Sequence, residues 1–232
     1  MKPVRVVGLI GGMSWESTLT YYKVLNEEIR DRLGGLHSAK CIVYSLDFHE
    51  IEKFQSQNEW QKSGKVLLDA ALNLEKAGAE CVMICTNTMH KVADMITASL
   101  KIPFIHIADV TAQALKQNGS KKALLLGTKY TMTESFYKDK ISKNSIEVVV
   151  PNKSDTDFIN SVIFNELCIG NIKQSSKIEF IKIINESKKL GVDSVILGCT
   201  EIGLLIKDDD CDIKIFDTTL LHAKAAADFS IN

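Results

Sequence analysis

The sequence has little net charge and no long apolar run. Of its 232 residues, 28 are Lys or Arg and 29 are Asp or Glu, so the formal net charge is −1. Basic residues are not clustered, which argues against binding to nucleic acid or to a membrane surface, because both depend on clustered positive charge. No stretch reaches the roughly 18–20 apolar residues of a membrane span.

A signal peptide and a metal-binding cysteine pattern are also missing. The N-terminal segment MKPVRVVGLIGGMSWEST has a short apolar run that ends at glycines. A signal peptide would need a longer apolar region and a small-residue cleavage site, so we expect a cytoplasmic protein. Six cysteines occur without a CxxC pair or a second pair at zinc-ligand spacing. We therefore expect reduced cysteines packed as small hydrophobic residues, and no metal site.

Short runs rich in Val, Ile and Leu alternate with segments of helical period. This alternation predicts an α/β fold whose parallel sheets are covered by helices on both faces. The expected strands are residues 4–10, 41–46, 81–85, 104–107, 123–126, 146–150, 194–197 and 213–216. The expected helices include residues 17–32, 61–76, 89–100, 109–117, 156–167, 177–189 and 218–229.

An internal repeat runs through the sequence. GAECVMICT at 78–86 aligns with GVDSVILGC at 191–199 at an offset of 113, and LIGG at 9–12 resembles LLGT at 125–128. The near-constant offset indicates a duplication, although any two Gly-strand units of an α/β protein look somewhat alike. We expect residues 1–102 with 210–232 in the first half, and 103–209 in the second.

Small polar residues follow four of the expected strands. They are GGMS at 11–14, TNT at 86–88, GTKYT at 127–131 and CTE at 199–201. Ligands of parallel α/β sheets bind beyond the carboxyl ends of the strands, where the starts of the following helices offer N–H groups to a carboxylate. The first segment lacks the G-x-G-x-x-G spacing of a dinucleotide site.

The segments GLIGGMSWEST, DFHEIE, CTNTMHK and GCTEIGLL, in this order, resemble the aspartate/glutamate racemase family over essentially the whole chain. The resemblance is closest to its broad-specificity amino-acid racemase branch. It implies two pseudo-symmetric flavodoxin-like halves with the active site in the cleft between them. It also implies an isomerase that racemises glutamate, aspartate or a wider set of amino acids without pyridoxal phosphate or a metal.

The family uses two bases, typically cysteines, one from each half. Here the family's C-N-T motif matches Thr86-Asn87-Thr88, so Thr86 replaces the first cysteine. The repeat gives the same pairing, because Cys199 aligns with Thr86 and Cys85 aligns with glycine. Side chains alternate along a strand, so we expect Cys85 to point away and pack in the core. The predicted catalytic pair is Thr86 and Cys199, with helix N-termini lowering the pKa of the thiol.

The other site residues are expected to hold the substrate. Asn87 and Thr88 would bind its carboxylate or amino group, and Gln55 would reach a distal carboxylate. Further candidates line the pocket or occupy symmetry-related positions: Met13, Ser14, Thr128, Tyr130, Thr131 and Thr200. The Arg and Lys of the aspartate-specific relatives have no counterpart near Phe48 or at Cys168, which argues against strict aspartate specificity.

Several polar residues have two interpretations from sequence. Glu201 would either steer or deprotonate Cys199, or remain a solvated carboxylate at a helix start. Asp47 and His49 are expected to be a helix cap and a surface histidine. His90 is expected to pack rather than to shuttle protons, and both tryptophans (Trp15 and Trp60) are expected to anchor packing.

Two other functions compete with amino-acid racemisation. One is a related activity of the superfamily, such as that of a hydantoin racemase, a maleate isomerase or a decarboxylase. The other is a non-catalytic amino-acid sensor that lost its first cysteine. In each case the expected partner is a small amino acid or a similar molecule, with neither nucleic acid nor membrane. Assembly into a homodimer is left open.

Overall fold

The computed structural model describes residues 3–232, in which seven strands form two sheets, and every strand pair is parallel. This confirms the predicted α/β class. The strands are β1 Val7–Gly11, β2 Cys41–Ser45, β3 Cys81–Ile84, β4 Lys122–Gly127, β5 Glu147–Val149, β6 Ser194–Gly198 and β7 Lys214–Asp217.

Helices connect the strands. They are α1 Trp15–Leu33, α2 Phe48–Ser56, α3 Trp60–Lys76, α4 Ala93–Thr97, α5 Ile107–Gln117, α6 Lys129–Thr133, α7 Ser135–Ser142, α8 Lys153–Asn165, α9 Gln174–Lys189, α10 Ile202–Leu205 and α11 Thr218–Ile231. Short 3₁₀ helices occur at Thr88–Val92, Leu167–Ile169 and Asp208–Asp210. Within residues 3–232, no helix has the length and apolar character needed to cross a membrane.

The chain divides into two compact units. The first runs to Ile107 and includes His222–Asn232, and the second is Ala108–Leu221. These bounds differ from the expected ones, which put 103–107 in the second half and 210–221 in the first. The difference follows from backbone pairing, because Phe104 bridges Val82 of the first sheet and β7 pairs with β6 of the second.

The first unit is built on a sheet of order β2-β1-β3. Alternate residues of β1 enter two different cores, as the period of a strand requires. Leu9 packs with Tyr21 of α1 and with the C-terminal part of α11, whereas Ile10 packs with Leu67 of α3. Strands β1 and β3 are buried on both faces and are continuous apolar runs in the sequence, whereas the edge strand β2 is partly exposed.

The second unit is built on a sheet of order β5-β4-β6-β7. Leu126 and Leu197 of its central strands pack against Ile159 of α8 and Phe180 of α9. If the bridge at Phe104 is counted as a fourth strand next to β3, the two sheets have the same order of strands. The sequence repeat is therefore also a repeat of topology.

The registers of the two sheets make the equivalence specific to individual residues. Ile10 pairs with Ile84 in the first sheet, and Leu126 pairs with Leu197 in the second. The sequence offsets from Ile10 to Leu126 and from Ile84 to Leu197 are those of the repeat. Thr86 and Cys199 each lie two residues beyond the paired residue, so they follow equivalent strands at equivalent positions.

Three expectations about local structure were wrong. The expected helix 89–100 is a 3₁₀ helix at Thr88–Val92 followed by the short α4, which ends at Thr97. The expected strand 104–107 is reduced to one bridge at Phe104, and Ile107 already begins α5. The cause is that the backbone N–H of Ile107 donates to the His90 side chain instead of to a neighbouring strand. Trp15 was expected to anchor packing but is 65% exposed.

Candidate active site

The turn after β1 holds the first two predicted site residues in a rigid arrangement. Gly12 has φ of 87°, and a Cβ there would overlap the backbone of Leu46, so only glycine fits. The Thr18 hydroxyl accepts a hydrogen bond from the Gly12 N–H at 2.8 Å and donates one to the Ser14 carbonyl at 3.0 Å. Ser14 caps α1, and both Met13 and Ser14 are 5% exposed.

The end of β3 separates a buried thiol from an accessible hydroxyl. Cys85 lies in the core between the sheet and α1, and its carbonyl accepts a hydrogen bond from the Ser17 hydroxyl at 2.9 Å. Burial raises the pKa of Cys85 far above its ordinary value, so this thiol stays protonated. Thr86 is partly exposed, and within residues 3–232 its hydroxyl has no hydrogen-bond partner.

Asn87 and Thr88 begin the 3₁₀ helix that follows Thr86, and both are buried. Gln55 reaches the same loop from α2, where its side-chain N–H lies 3.0 Å from the sulfur of Met89. The first unit therefore brings Gln55 beside the loop that carries Thr86. The neighbouring Asp47 caps α2 by accepting from the N–H of residue 49, and that histidine is exposed, as expected.

Cys199 lies at the end of β6 beside a carboxylate. Its Sγ donates to Oε2 of Glu201 at 2.9 Å, and the hydroxyl of Thr200 donates to the same oxygen at 2.7 Å. Glu201 is 5% exposed, so the alternative of a solvated carboxylate was wrong. The sulfur, the hydroxyl and the carboxylate form one hydrogen-bonded group.

The environment of Cys199 raises the pKa of its thiol well above the ordinary value. Burial is the largest cause, and the negative charge of Glu201 is the next. The expected lowering by a helix N-terminus was wrong, because α10 has only four residues and a carboxylate lies beside the sulfur. The resting side chain is therefore a thiol whose proton points to Glu201.

The strand next to β6 places the remaining candidates. Gly127 of β4 pairs with Gly198 of β6, so the segments that begin at Thr128 and Cys199 leave the sheet side by side. Thr128 caps α6, and its Oγ1 lies 3.2 Å from Oγ1 of Thr131. Both threonines are buried, whereas Tyr130 is partly exposed. Each unit thus gathers its own predicted site residues at one edge of its sheet.

Sequence reasoning missed a buried cluster of histidines in the first unit. His90, His106 and His222 have ring centroids 4.6–5.6 Å apart in the two pairs that involve His90. Tyr21 joins them through a 2.9 Å hydrogen bond with His222. The only sequence signal was the position of His90 four residues after Thr86. Nothing in the sequence indicated His222.

All six cysteines are free thiols. In the described part of the chain, no group of three or more His, Cys, Asp or Glu side chains could hold a metal ion. What the two units offer instead is a hydroxyl at the end of one strand and a thiol with its carboxylate at the end of the equivalent strand. These features define an α/β enzyme suited to the transfer of protons.

Comparison with known proteins identifies the family. The sequence matches the Asp/Glu/hydantoin racemase family over residues 10–226, and the chain belongs to that family. It is 27% identical to the broad-specificity amino-acid racemase RacX of Bacillus subtilis, over 95% of this chain and 96% of RacX. The predicted class of enzyme, an isomerase of the amino-acid racemase type, is confirmed at the level of the family.

Solved structures agree with this assignment. A candidate Asp/Glu racemase from Yersinia pestis is 48% identical, with a TM-score of 0.92 over 98% of this chain and 100% of that one. An aspartate racemase homologue from Pyrococcus horikoshii is 37% identical, with a TM-score of 0.86 over the whole of both chains. Both likenesses extend over both units of the chain.

Proposed function

We propose that this protein interconverts the L- and D-enantiomers of glutamate, aspartate or a wider set of amino acids by moving a proton at Cα, without a cofactor. The observation that carries the proposal is the equivalence of Thr86 and Cys199, which follow corresponding strands of two units with the same topology. Inversion needs one group to remove a proton and another to return it from the opposite face, because a single base tends to return the proton to the face it left.

Cys199 is the base for the L-enantiomer in this proposal. Its S–H proton passes to Oε2 of Glu201, which lies 2.9 Å away, and leaves a thiolate and a neutral carboxyl group. The thiolate then takes the Cα proton of the L-substrate, which leaves a carbanion. Since the resting thiol has a raised pKa, a nearby proton acceptor is needed before the sulfur can act as a base near neutral pH.

Thr86 is the acid on the other face. Its hydroxyl has no hydrogen-bond partner in residues 3–232, so it is available to a substrate. A hydroxyl is essentially never ionised near neutral pH, but it can donate a proton to a carbanion, which is far more basic than an alkoxide. The hydroxyl proton goes to Cα, and the alkoxide then takes a proton from water. The hydroxide that forms is neutralised by the proton that Glu201 gives up, so Thr86, Cys199 and Glu201 all return to their resting states.

The polar strand ends bind the rest of the substrate. Asn87 and Thr88 in one unit, and Thr128 and Thr200 in the other, offer amide and hydroxyl groups to its carboxylate and amino group. Gln55 would contact an acidic side chain through a neutral amide rather than a cation, which favours moderate selectivity. The broad specificity of RacX, the Bacillus subtilis relative, supports a substrate range wider than one acidic amino acid.

The proposal is tested by incubating the purified protein with a panel of L-amino acids and separating the enantiomers by chiral chromatography. Glutamate, aspartate and several neutral and basic amino acids should be included. The D-enantiomer should accumulate with at least one substrate, and Cys199→Ala should abolish this. The matched control is Cys85→Ala, which removes the buried thiol next to Thr86 in the sequence and should retain activity.

Three outcomes would contradict the proposal. Binding of an amino acid without turnover, measured by calorimetry, would favour the sensor. A folded Cys85→Ala protein without turnover, together with an active Cys199→Ala protein, would mean that the catalytic positions are misassigned. Turnover of hydantoins or maleate, but of no amino acid, would favour the related activities of the superfamily.

We also propose that the protein acts in the cytoplasm and forms a homodimer. Six free thiols support a reducing compartment.

The dimer is supported by Trp15, Leu19 and Tyr22, which lie along one side of α1 and are 48–65% exposed. Light scattering after gel filtration should give twice the mass of one chain, and Leu19→Glu should yield monomers. A monomeric parent protein would contradict the dimer.

A further inference from the structure

Both ring nitrogens of His90 are engaged by the backbone. His90 lies in the 3₁₀ helix Thr88–Val92 and is 3% exposed. Its Nδ1 lies 2.8 Å from the carbonyl oxygen of Thr86, and its Nε2 accepts from the backbone N–H of Ile107 at 3.2 Å. An N–H can only donate and a carbonyl can only accept, so Nε2 is unprotonated and Nδ1 carries the proton. The imidazole is therefore neutral and held in one tautomer.

The surroundings of His90 favour this neutral form. Burial lowers the pKa of His90, and its neighbours His106 and His222 lower it further. The ring of Phe104 lies 5.8 Å away and adds no polar partner. A proton on Nε2 would cost the hydrogen bond to Ile107 as well as the energy of a buried charge.

Neither ring nitrogen of His90 is available to exchange a proton with a substrate. His90 can therefore affect catalysis only through the loop that it holds. Its ring fixes the carbonyl of Thr86, and its backbone N–H donates to the carbonyl of Asn87 at 3.1 Å. These two carbonyls belong to the two peptide groups that flank Asn87. One residue therefore sets the orientation of the backbone on which the Thr86 hydroxyl is carried.

We infer that His90 is a positioning residue for Thr86, acting as a neutral imidazole that fixes the backbone of the proton-donating threonine. This inference rests on the proposed function, in which Thr86 delivers the second proton. A catalytic group must be held closely, since a misplacement of about 1 Å can reduce a rate by about 100-fold. Removal of the ring should slow the step that uses Thr86 and spare the step that uses Cys199.

The experiment measures two rates on the L-enantiomer in heavy water. Exchange of the Cα proton with retention reports on Cys199, and inversion requires Thr86 as well. His90→Leu should lower the ratio of inversion to exchange by about 10- to 100-fold, with KM little changed. His90→Asn keeps a short side-chain donor near the carbonyl and should recover part of the ratio.

His222→Asn is the matched control. His222 is equally buried in the same cluster, but it bonds the carbonyl of Ile105 at 2.8 Å and not the loop of Thr86. This variant should lose stability without a change in the ratio. An equal fall in the ratio for His90→Leu and His222→Asn would overturn the inference, because the effect would then be general loosening of the core.

Thr86→Val separates failure of this inference from failure of the proposed function. If Thr86→Val leaves the ratio unchanged, the assignment of the threonine is wrong and the inference falls with it. If Thr86→Val lowers the ratio and His90→Leu leaves it within about twofold of the parent, the function stands and only the positioning role is refuted.

The tautomer gives a test that needs no variant. Nitrogen NMR of the parent protein should show His90 protonated at Nδ1 and His222 protonated at Nε2, because Nε2 of His222 donates to a carbonyl. A His90 ring protonated at Nε2, or doubly protonated near neutral pH, would also overturn the inference.

Discussion

Mild acid should destabilise the first unit through its buried histidines. Burial lowers the pKa of His222 from 6.5 to about 3, and that of His90 also falls well below 6.5. In the unfolded chain both rings bind a proton below pH 6.5, whereas in the folded protein they stay neutral. The unfolded state therefore binds more protons, so the stability is fully present above the unfolded pKa and is lost as the pH falls below it.

The size of the effect follows from these pKa values. Between about pH 7.5 and pH 5.5, each histidine that stays neutral in the folded state reduces the free energy of unfolding by about 1.4 kcal/mol. The two rings together should remove about 2.7 kcal/mol, which is a large part of the roughly 5–15 kcal/mol that stabilises a typical domain.

The assay is urea denaturation followed by tryptophan fluorescence. Trp15 and Trp60 are the only tryptophans of the chain and both lie in the first unit, so the signal reports on the unit that contains the histidines. His222→Gln loses hydrogen bonds and should be less stable at every pH. Its decline between about pH 7.5 and pH 5.5 should nevertheless be smaller than the parent's by about 1.4 kcal/mol. An equal decline in both proteins would refute the argument.

Four further predictions concern the site. Glu201→Gln should lower the pKa of the Cys199 thiol, seen as thiolate absorbance at lower pH, yet reduce turnover by about 10- to 100-fold because the proton acceptor is lost. Gly12→Ala should cost about 1–3 kcal/mol in denaturant melts, since its backbone has positive φ and faces Leu46. Exhaustive chelation and added pyridoxal phosphate should leave turnover unchanged; loss of activity to a chelator would count against cofactor independence. Thr86→Cys should raise the rate of inversion, and a slower variant would argue against Thr86 as the weaker partner.

The fold could be predicted because its signals are local. Apolar runs with glycine boundaries mark the strands, and the repeat marks equivalent strand ends before any contact is known. The segment at Phe104 could not be predicted, because its apolar residues suit a strand, whereas the tertiary structure directs the backbone N–H of Ile107 to His90. The exposed Trp15 is a similar case, since only the helix packing selects Tyr21 and its neighbours as the buried side of α1.

The sequence proposes the residues of the candidate site, but it does not give their electrostatics. The motifs identified Cys199 and Glu201 as neighbours in sequence, and left open whether the carboxylate faces water. Burial of both side chains decides this, because a charge excluded from water makes a hydrogen bond to the nearest donor. The raised pKa of the thiol is thus a tertiary effect that no motif could supply.

The two proposed catalytic groups are chemically unequal, and this limits where the difference between the enantiomers can show. Enantiomers have equal free energy, so kcat/KM must be the same in both directions whatever the residues are. Cys199 has Glu201 to accept its proton, whereas the Thr86 hydroxyl has no acceptor within residues 3–232. In the proposed mechanism, Cys199 can therefore remove and return the Cα proton repeatedly before Thr86 donates a proton from the other face of the substrate. The inequality should appear as a higher kcat for the L-enantiomer and as exchange that outpaces inversion.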